Sequence, residues 1–432
     1  MIENGIPNNK ITTMTKTNQS ENVALVYLAL PNCDKEQEVA EIYRLVESAR
    51  GKVVFYTEQK RNAIDNLTVL GSGKLDELAN SLKTLDEPVQ TVIFSCPLNS
   101  SQRATLQKKL GDEVEIADRL DLILDIFALR ATTGEGKRQV ELAQLSYNLA
   151  TRPDNVKMSR QGAGIGTRGP GETKLETNKR AMRKRINSLN KELNEIAARR
   201  ETTRKQRAEN DAFVVALVGY TNAGKSTLFN RLTKSEIYAD DLLFATLDTT
   251  VRKAKLPCGV DTLFCDTAGF VNKLPHQLVN AFKSTLDEAT YADLILNVVD
   301  ISDPYAETHL KVTSDILAEL GVTAPQILVY NKCDTNQAYC GVQPSKKCVF
   351  VSALTGKNID VLLEEIEKVA MERYAKITIK IPFGDYGATM NELNRYASVA
   401  KRMDDERADG VIFKVIVNRK YLDKFTKYIV FD

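Results

Sequence analysis

A short apolar stretch that runs directly into a glycine-rich loop restricts the fold of this chain more than any other feature. Val214–Val218 is entirely apolar, and the next nine residues, Gly219–Thr227, read GYTNAGKST. The order strand, loop, helix with the pattern G-x-x-x-x-G-K-[ST] is typical of a loop whose backbone N–H groups surround phosphate oxygens. The plainer interpretation is a tight glycine turn before a helix, and motifs further along the chain argue against it. We therefore predict a doubly wound α/β domain with a phosphate-binding loop.

Two side chains of this loop have predicted chemical roles. We expect Lys225 to reach the β and γ phosphates as a catalytic residue, and the Ser226 hydroxyl to bind Mg²⁺. A superficially similar GSGK at Gly71–Lys74 has Thr68 where the first glycine belongs and Leu75 where a hydroxyl is needed. We interpret that segment as a turn before a helix.

Length and composition bound the rest of the molecule. A chain of 432 residues divides into about three domains. Residues 1–20 are polar and predict a disordered tail, and no apolar run approaches the roughly 20 residues that a membrane-spanning helix needs. Seven cysteines without a CxxC pair, with only two histidines, exclude a zinc cluster and a disulfide framework by spacing, which favours a cytoplasmic protein.

The pattern of strands and helices predicts four parts after the tail. Residues 21–133 alternate short strands with amphipathic helices, which indicates a small parallel α/β domain. Residues 134–210 predict an antiparallel two-helix projection with a glycine-rich loop at 153–172, because apolar residues of the second helix recur at spacings of three and four. Those residues are Met182, Ile186, Leu189, Leu193 and Ile196. The phosphate-binding domain then occupies 211–374, and a small α/β appendage occupies 375–432.

Basic residues crowd the second helix of this pair, and few acids accompany them. A solvated helix face is the plainer interpretation of such charge. However, salt-bridged helices usually mix signs, and the excess continues into the preceding loop. We therefore favour contact with a phosphate backbone, and we expect Arg183, Lys184 and Arg185 to bind RNA. The formal net charge of the chain is only +2, so the positive charge is local.

The segment Asp266-Thr267-Ala268-Gly269 follows the strand Thr262–Cys265 and lies 40 residues after Ser226. A carboxylate at a strand end can hold the Mg²⁺ shell, here through a water molecule, and Gly269 lets its amide approach the γ-phosphate because no side chain intervenes. We predict Asp266 as a metal residue and Gly269 as a catalytic residue.

The segment Asn331-Lys332-Cys333-Asp334 follows another apolar strand and predicts which base is bound. An aspartate there accepts both guanine N1–H and N2–H₂ and is left unsatisfied by adenine, and sites of this kind discriminate by about 10⁴–10⁵. Val351-Ser352-Ala353-Leu354, after the next strand, is predicted to supply backbone amides for guanine O6. The motifs in this order predict GTP and GDP as ligands and GTP hydrolysis as the reaction, and they disfavour ATP.

The segment Phe244-Ala245-Thr246-Leu247-Asp248 lies between the phosphate loop and DTAG. Mg²⁺ demands a near-octahedral set of oxygen ligands. We expect the Thr246 hydroxyl to complete that set only when the γ-phosphate is present, which makes Thr246 catalytic and the segment a switch. Thr249 and Thr250 are alternatives for this role.

The residue after DTAG is Phe270, which cannot orient an attacking water by hydrogen bonding. We therefore expect slow hydrolysis unless a partner or a rearranged switch assists. Arg252 could neutralise charge, although an exposed strand residue is the favoured interpretation. Asn222 could help to hold K⁺ against the phosphates, as in some related GTPases.

The predicted nucleotide contacts come from five short segments. They are Gly219, Tyr220, Thr221, Asn222, Ala223, Gly224, Lys225, Ser226, Thr227, Phe244, Ala245, Thr246, Leu247, Asp248, Asp266, Thr267, Ala268, Gly269, Asn331, Lys332, Cys333, Asp334, Val351, Ser352, Ala353 and Leu354.

With these motifs, a glycine-rich loop and a basic helical pair in one chain, the sequence resembles the HflX family of translation-associated GTPases. The resemblance covers about Val23 to Glu372, and SRQGAGIGTRGPGE at Ser159–Glu172, joined to GYTNAGKST, is its most particular part. It implies a GTPase that binds the large ribosomal subunit in its GTP form, contacts its rRNA through the helical pair, and splits stalled or idle ribosomes. The RNA contacts implied by matching motif are Arg160, Gly162, Gly164, Gly166, Arg168, Gly169, Gly171 and Glu172.

An alternative function stays open at this point. It is a GTP-timed factor for ribosome assembly or RNA binding that never splits ribosomes. In either case we expect a monomer, with no DNA partner and no integral membrane association.

Overall fold

The computed structural model forms two compact units. The first contains Met1–Ala197, Leu242–Leu247 and Leu274–Phe282, and the second contains the remaining residues. The predicted tail, apart from Ser20, and the predicted loop at 153–172 lie outside the described residues. Some side chains within helices and strands are also not described, namely those of 174–177, 203–209, 400–401 and 403–404. The described residues are 20–31, 33–151, 174–209, 212–235, 243–244, 246–271, 288–335, 348–404 and 410–430.

The first unit contains a four-stranded sheet of parallel strands in the order β2-β1-β3-β4. Its apolar core includes side chains of β1 and β3 together with those of the covering helices. The predicted parallel α/β domain is therefore confirmed, and GSGK at Gly71–Lys74 begins a helix as expected. The strands are β1 Glu21–Ala29, β2 Gly51–Lys60, β3 Thr91–Phe94 and β4 Glu115–Asp118. The helices are α1 Lys35–Ser48, α2 Ser72–Thr84, α3 Ser100–Leu110 and α4 Arg119–Arg130.

Strand β4 was not predicted, because it has only four residues and two of them are acids. The second acid, Asp118, is fully buried and caps α4 by accepting the amides of Leu120 and Asp121. Arg103 compensates both carboxylates, with Nη2 at 2.7 Å from Asp118 and at 2.6 Å from Asp121. The hydroxyl of Tyr147 also hydrogen-bonds Asp118. This buried network holds the last strand, two helices and α5 together.

The helices α5 (Gly134–Thr151) and α6 (Lys174–Glu209) are antiparallel. Arg138 contacts Glu192 at 2.7 Å, and Glu141, later in α5, contacts Arg185, earlier in α6, also at 2.7 Å. Of the five residues in the predicted apolar seam, Leu189 is fully buried and the others are half-buried, while most of their neighbours are exposed. The predicted pairing of the two helices is therefore confirmed.

The second unit contains a six-stranded sheet in the order β10-β9-β8-β5-β7-β6, in which only β6 is antiparallel to its neighbour. This is the predicted doubly wound sheet, since the strand order reverses at β5. Its core includes apolar residues of β5, β8 and β9 and of two helices. The strands are β5 Phe213–Gly219, β6 Thr250–Lys255, β7 Asp261–Asp266, β8 Leu294–Asp300, β9 Gln326–Asn331 and β10 Cys348–Phe350. The helices are α7 Lys225–Thr233, α8 Ala306–Glu319 and α9 Ile359–Arg373.

The C-terminal appendage is a three-stranded antiparallel sheet in the order β11-β13-β12, covered by α10 and a 3₁₀ helix. The predicted strands and helix are present, and the sequence did not reveal β12 or the 3₁₀ helix. Ile416 of β13 belongs to the same core as β5 and β8, so the appendage continues the second unit. The elements are β11 Tyr374–Pro382, α10 Tyr386–Tyr396, β12 Ala397–Asp404, β13 Gly410–Asn418 and the 3₁₀ helix Arg419–Tyr428. None of the helices among the described residues is both long and apolar enough to cross a membrane.

Candidate functional site

The order of the strands in the sheet brings three of the predicted segments to one edge. The phosphate loop follows β5, DTAG begins at the last residue of β7, and NKCD begins at the last residue of β9. Strand order reverses at β5, with β7 and β6 on one side and β8, β9 and β10 on the other. Ligands of open α/β sheets bind outside the carboxyl ends of the strands at such a reversal. The topology therefore places these segments where a nucleotide is expected.

Lys225 is the first residue of α7 and is only 6% exposed. Its Nζ donates a hydrogen bond to the carbonyl of Tyr220 at 2.8 Å. Burial lowers the pKa of Lys225 to about 8, although the Asp266 carboxylate acts in the opposite direction. An ammonium group buried with so little compensation gains from further anionic partners, and phosphate oxygens would supply them.

Ser226 and Asp266 bring two oxygen ligands together. Ser226 Oγ donates to Asp266 Oδ2 at 2.6 Å, and Asp266 is 1% exposed at the end of β7. Mg²⁺ prefers hard oxygen ligands and usually keeps several waters. The donor set therefore fits a Mg²⁺ ion held by Ser226 directly and by Asp266 through water.

Gly269 lies against the phosphate loop. A Cβ atom at this position would come within 2.8 Å of Thr221 Cα and 3.0 Å of Lys225 Nζ, so only glycine fits. The next residue, Phe270, pairs with the loop through its backbone: its carbonyl accepts the Thr221 amide at 2.8 Å, and its amide donates to Gly219 at 3.1 Å. The Phe270 ring is 1% exposed. The sequence did not reveal this pairing, which joins DTAG directly to the phosphate loop.

Asn331 belongs to the loop that is predicted to recognise the base. Its side chain connects that loop to the phosphate loop. Its Nδ2 donates to the Ala223 carbonyl, and its Oδ1 accepts the Ala353 amide, both at 2.9 Å. Asn331 is 2% exposed, whereas Asp334 is exposed. The side-chain amide of Asn331 therefore links the two loops, and recognition of the base by the exposed Asp334 stays a prediction.

The predicted amides for guanine O6 are partly used within the protein. Val351, Ser352 and Ala353 donate theirs to protein oxygens at 2.8, 3.1 and 2.9 Å. The described residues give the Leu354 amide no hydrogen bond. Arg231 fixes this loop, because its guanidinium donates to the carbonyls of Ala353 and Leu354 at 3.2 and 2.5 Å. Nothing in the local sequence identified Arg231, which lies more than 100 residues earlier.

Two other predicted contact residues already have protein partners. Thr267 Oγ1 donates to the Leu217 carbonyl at 2.8 Å and is fully buried. Lys332 Nζ pairs with Asp300 at 2.8 Å. Both side chains support the strands or loops around them, and their contacts with the nucleotide stay predictions.

The predicted switch segment is divided between the two units. Phe244, Thr246 and Leu247 belong to the first unit, Asp248 belongs to the second, and Ala245 lies outside the described residues. Phe244 and Leu247 are 2% and 1% exposed, and Thr246 is half-buried. Thr249 and Thr250 are half-buried as well, so the choice of Thr246 among the three hydroxyls stays a prediction.

Three further side chains are Asn222 of the phosphate loop, His309 packed against that loop, and Arg252 of β6. Asn222, the predicted K⁺ residue, is half-buried with a left-handed backbone at φ +60°, and its role stays a prediction. The ring of His309 stacks on Tyr220 with centroids 3.7 Å apart, a contact that the sequence did not reveal. Arg252 is exposed on β6 and donates to the adjacent Val251 carbonyl, as the favoured interpretation had it.

The three predicted basic residues of α6 have different surroundings. Arg183 and Lys184 are exposed. Arg185 instead makes two hydrogen bonds with Glu141, at 2.7 and 2.8 Å, and so joins α6 to α5. Arg185 is also exposed, so its contact with RNA stays a prediction beside this role between the two helices. The RNA contacts implied by the resemblance, between Arg160 and Glu172, lie outside the described residues.

Comparison with known proteins gives three matching family models along the chain. They are described as GTP-binding GTPase N-terminal over residues 36–128, GTP-binding GTPase Middle Region over 130–207, and 50S ribosome-binding GTPase over 214–332. The boundaries between them fall close to those between the parallel domain, the helical pair and the phosphate-binding domain.

Curated relatives match over nearly the whole chain. A GTPase HflX from Caldanaerobacter subterraneus subsp. tengcongensis is 39% identical over 411 residues, which is 94% of each chain. The GTPase HflX of Escherichia coli is 38% identical over 370 residues, 84% of this chain and 86% of that protein. A solved GTP-binding protein from Sulfolobus solfataricus in complex with GDP is 26% identical, with a TM-score of 0.42, over 81% of this chain and 99% of that chain. The two GTPase HflX relatives, together with the family models, confirm the predicted resemblance: the chain belongs to the GTPase HflX family and hydrolyses GTP.

Proposed function

We propose that this GTPase acts on the ribosome, where its GTP form binds the large subunit through rRNA and separates stalled or idle ribosomes into subunits. The exposed basic face of α6 carries the proposal. Arg183 and Lys184 are exposed, whereas the apolar seam of the same helix is covered. The match to a model described as a 50S ribosome-binding GTPase supports the same partner. A cytoplasmic location and a monomeric state stay predictions.

Each nucleotide group has a residue suited to it. Lys225 donates to the β and γ phosphates, the Gly269 amide approaches the γ-phosphate, and Asp334 accepts from guanine. Ser226, Thr246 and, through water, Asp266 would hold Mg²⁺. When bound, the metal supplies positive charge that stabilises the phosphates as hydrolysis proceeds. Thr246 is the one metal residue that reports on the γ-phosphate, because it lies on the switch segment.

Hydrolysis without a partner is expected to be slow. The Phe270 ring is buried and apolar, so the residue after DTAG cannot orient the attacking water. A ribosomal partner or a rearranged switch must supply that group. Asn222 would hold K⁺ as an additional cation beside the phosphates, and equal GTPase rates in potassium and sodium would exclude this part of the proposal.

The test is sedimentation with ribosomes and isolated subunits. We expect the protein to pellet with the large subunit in a non-hydrolysable GTP analogue and to be released in GDP. On a density gradient, the analogue complex should reduce the peak of intact ribosomes. Binding without this reduction would support a GTP-timed assembly or RNA-binding factor instead. Equal binding in GDP and in the analogue would contradict the proposal as a whole.

A further inference from the structure

The loop that follows β10 leaves one backbone amide available to a ligand. In the segment 351–357, the three amides before Leu354 donate to protein oxygens at 2.8, 3.1 and 2.9 Å. The three amides after it also donate to protein oxygens, at 3.1, 2.8 and 3.4 Å. Among the described residues, the Leu354 amide has no such acceptor. Leu354 is 74% exposed, so a ligand can approach it.

Arg231 holds the peptide group that carries this amide. Its Nε donates to the Ala353 carbonyl at 3.2 Å, and its Nη2 donates to the Leu354 carbonyl at 2.5 Å. The Ala353 carbonyl and the Leu354 N–H belong to one planar peptide group, which is trans. In a trans peptide group these two bonds point in opposite directions. Because Arg231 fixes the carbonyl, it also fixes the direction of the Leu354 N–H, which points away from the guanidinium.

The chemistry of a guanidinium suits this task. It is rigid and planar and presents its donors in a fixed fork, so it can hold two neighbouring carbonyls at once, which an ammonium group does less well. Among the described residues, no carboxylate pairs with Arg231, so its charge acts on these two carbonyls. A positive charge on the carbonyl side polarises the peptide group and strengthens its N–H as a donor.

We propose that the Leu354 amide donates to guanine O6 and that Arg231 is the residue that positions this amide. The inference rests on guanine as the bound base, which the proposed function assigns through Asp334. Of the four amides predicted for O6, the other three already donate within the protein. Adenine carries an amino group in place of O6, so the Leu354 N–H would face a second donor. Arg231 is thereby a determinant of base specificity, although it does not touch the base.

The experiment compares GDP with two analogues that each change one group of the base. The first, 6-thioguanosine diphosphate, has sulfur in place of O6, and sulfur is a weak hydrogen-bond acceptor. The second, inosine diphosphate, lacks only the 2-amino group, which faces Asp334. We expect the parent to bind GDP about three- to tenfold more tightly than the thio analogue, the range of one hydrogen bond.

Arg231→Ala should lose most of this preference over the thio analogue and keep the preference over inosine diphosphate. The reason is that the Leu354 amide loses its direction, whereas Asp334 is unchanged. Isothermal titration with the three diphosphates measures both ratios. Full retention of the preference over the thio analogue in Arg231→Ala would overturn the proposal.

Two further variants separate geometry from charge. Arg231→Lys keeps the positive charge but lacks the fork, so it should lose the preference as Arg231→Ala does. Full retention in Arg231→Lys would contradict positioning by the guanidinium. Lys368→Ala is the control, because Lys368 is an exposed cation on α9 that pairs with Glu365 at 2.6 Å. Loss of the preference in this control would count against a specific role of Arg231.

Amide exchange, followed residue by residue by NMR, gives a readout besides affinity. GDP should slow the exchange of the Leu354 amide in the parent, and it should do so less in Arg231→Ala. The Ala353 amide donates to Asn331 Oδ1, so it should be protected with and without nucleotide. If GDP leaves the exchange of Leu354 unchanged and slows that of Ala353, the assigned donor is wrong.

The two analogues also distinguish a failure of this inference from a failure of guanine recognition. If the parent prefers GDP to inosine diphosphate but not to the thio analogue, the Leu354 contact is wrong and the role of Asp334 stands. If the parent shows neither preference, guanine recognition itself is wrong, and the role of Arg231 fails with it.

Discussion

Arg103 in the parallel domain and Lys225 in the phosphate loop are buried cations of almost equal exposure, 7% and 6%. Arg103 contacts the carboxylates of Asp118 and Asp121, and their charges raise its pKa despite its burial. Lys225 donates to a neutral carbonyl, and burial lowers its pKa to about 8. The two cationic side chains are therefore equally buried, and they differ in how many carboxylates surround them.

This difference distinguishes a charge that is compensated within the protein from a charge that a bound ligand would compensate. A buried cation with carboxylates around it stabilises its own surroundings, since each charge compensates the other. A buried cation with less compensation, such as Lys225 with only the Asp266 carboxylate nearby, raises the free energy of the protein until an anion binds. The same distinction applies to Asn331 against Asp334 in the base loop and to Arg185 against Lys184 on α6. In each pair, one side chain is committed to the protein and the other is exposed.

The largest effect on stability should follow from removing Arg103, the buried cation that is paired with two carboxylates. Arg103→Leu leaves two carboxylates buried without compensation, so we expect the free energy of unfolding to fall by about 3–5 kcal/mol. Denaturant titration measures this loss. Lys109→Ala, on the same helix, removes an exposed pair with Asp76 and should cost less than about 1 kcal/mol. Similar losses in the two variants would break the comparison.

Removing Lys225 should slow GTP hydrolysis without reducing the stability of the protein. We expect Lys225→Ala to lower kcat for GTP by about 10²–10³, as is usual when one group that stabilises developing charge is deleted. Its denaturation midpoint should stay equal to or rise above that of the parent, because a poorly compensated buried charge is gone. Single-turnover hydrolysis and a denaturant curve test both parts. Lys253→Ala, an exposed lysine on β6, is the control that should change neither.

In the segment Asn331–Asp334, the exposed residue Asp334 should control selectivity for the nucleotide base. Asp334→Asn should weaken guanine nucleotide binding by about 10–100-fold, the range for hydrogen bonds to a charged group, and should shift preference towards xanthine nucleotides. Competition binding with GDP and its xanthine counterpart measures the shift. Asp315→Asn, an exposed aspartate on α8, should have no effect. Retained guanine selectivity in Asp334→Asn would disprove the assignment.

The lowered pKa of Lys225 predicts how nucleotide affinity depends on pH. Below about pH 8 the free protein already carries the charged ammonium, so affinity is at its full value. Above that pH the amine is neutral in the free protein and must take up a proton on binding, which weakens affinity by up to about tenfold per pH unit. Titrations of GDP from pH 7 to pH 9 test this. The same slope in Lys225→Ala would assign it to another group.

The smallest effect is expected on α6. Lys184→Ala should weaken ribosome binding a few-fold and reduce the dependence of log affinity on log salt by about 1. Arg185→Ala should act differently, by loosening the contact with Glu141 between the two helices, and this should appear as faster amide exchange in α5. A salt dependence that falls only in Arg185→Ala would reverse the roles given to these residues.

The sequence predicted groups whose chemistry depends on near neighbours. The phosphate loop, DTAG and NKCD are local patterns at strand ends, and the parallel topology alone brings them to one edge. It could not predict side chains whose partner is set by packing between distant elements. The pairing of Arg185 with Glu141, for example, depends on the register between two helices, which the sequence does not specify. The bonds of Asn331 to Ala223 and Ala353 are a second example, and strand β4 was missed because its buried acid is compensated by Arg103.

Gly224 and Asn331 show how closely the two ends of the nucleotide site depend on each other. A Cβ atom at Gly224 would lie 2.2 Å from Asn331 Nδ2, at a backbone φ of +85°. Any side chain there would push away the amide that joins the Ala223 carbonyl to the Ala353 amide. A change made for the phosphates would thus also disturb guanine recognition. A substitution therefore cannot change the preference for the base without also affecting the binding of the phosphates, or the reverse.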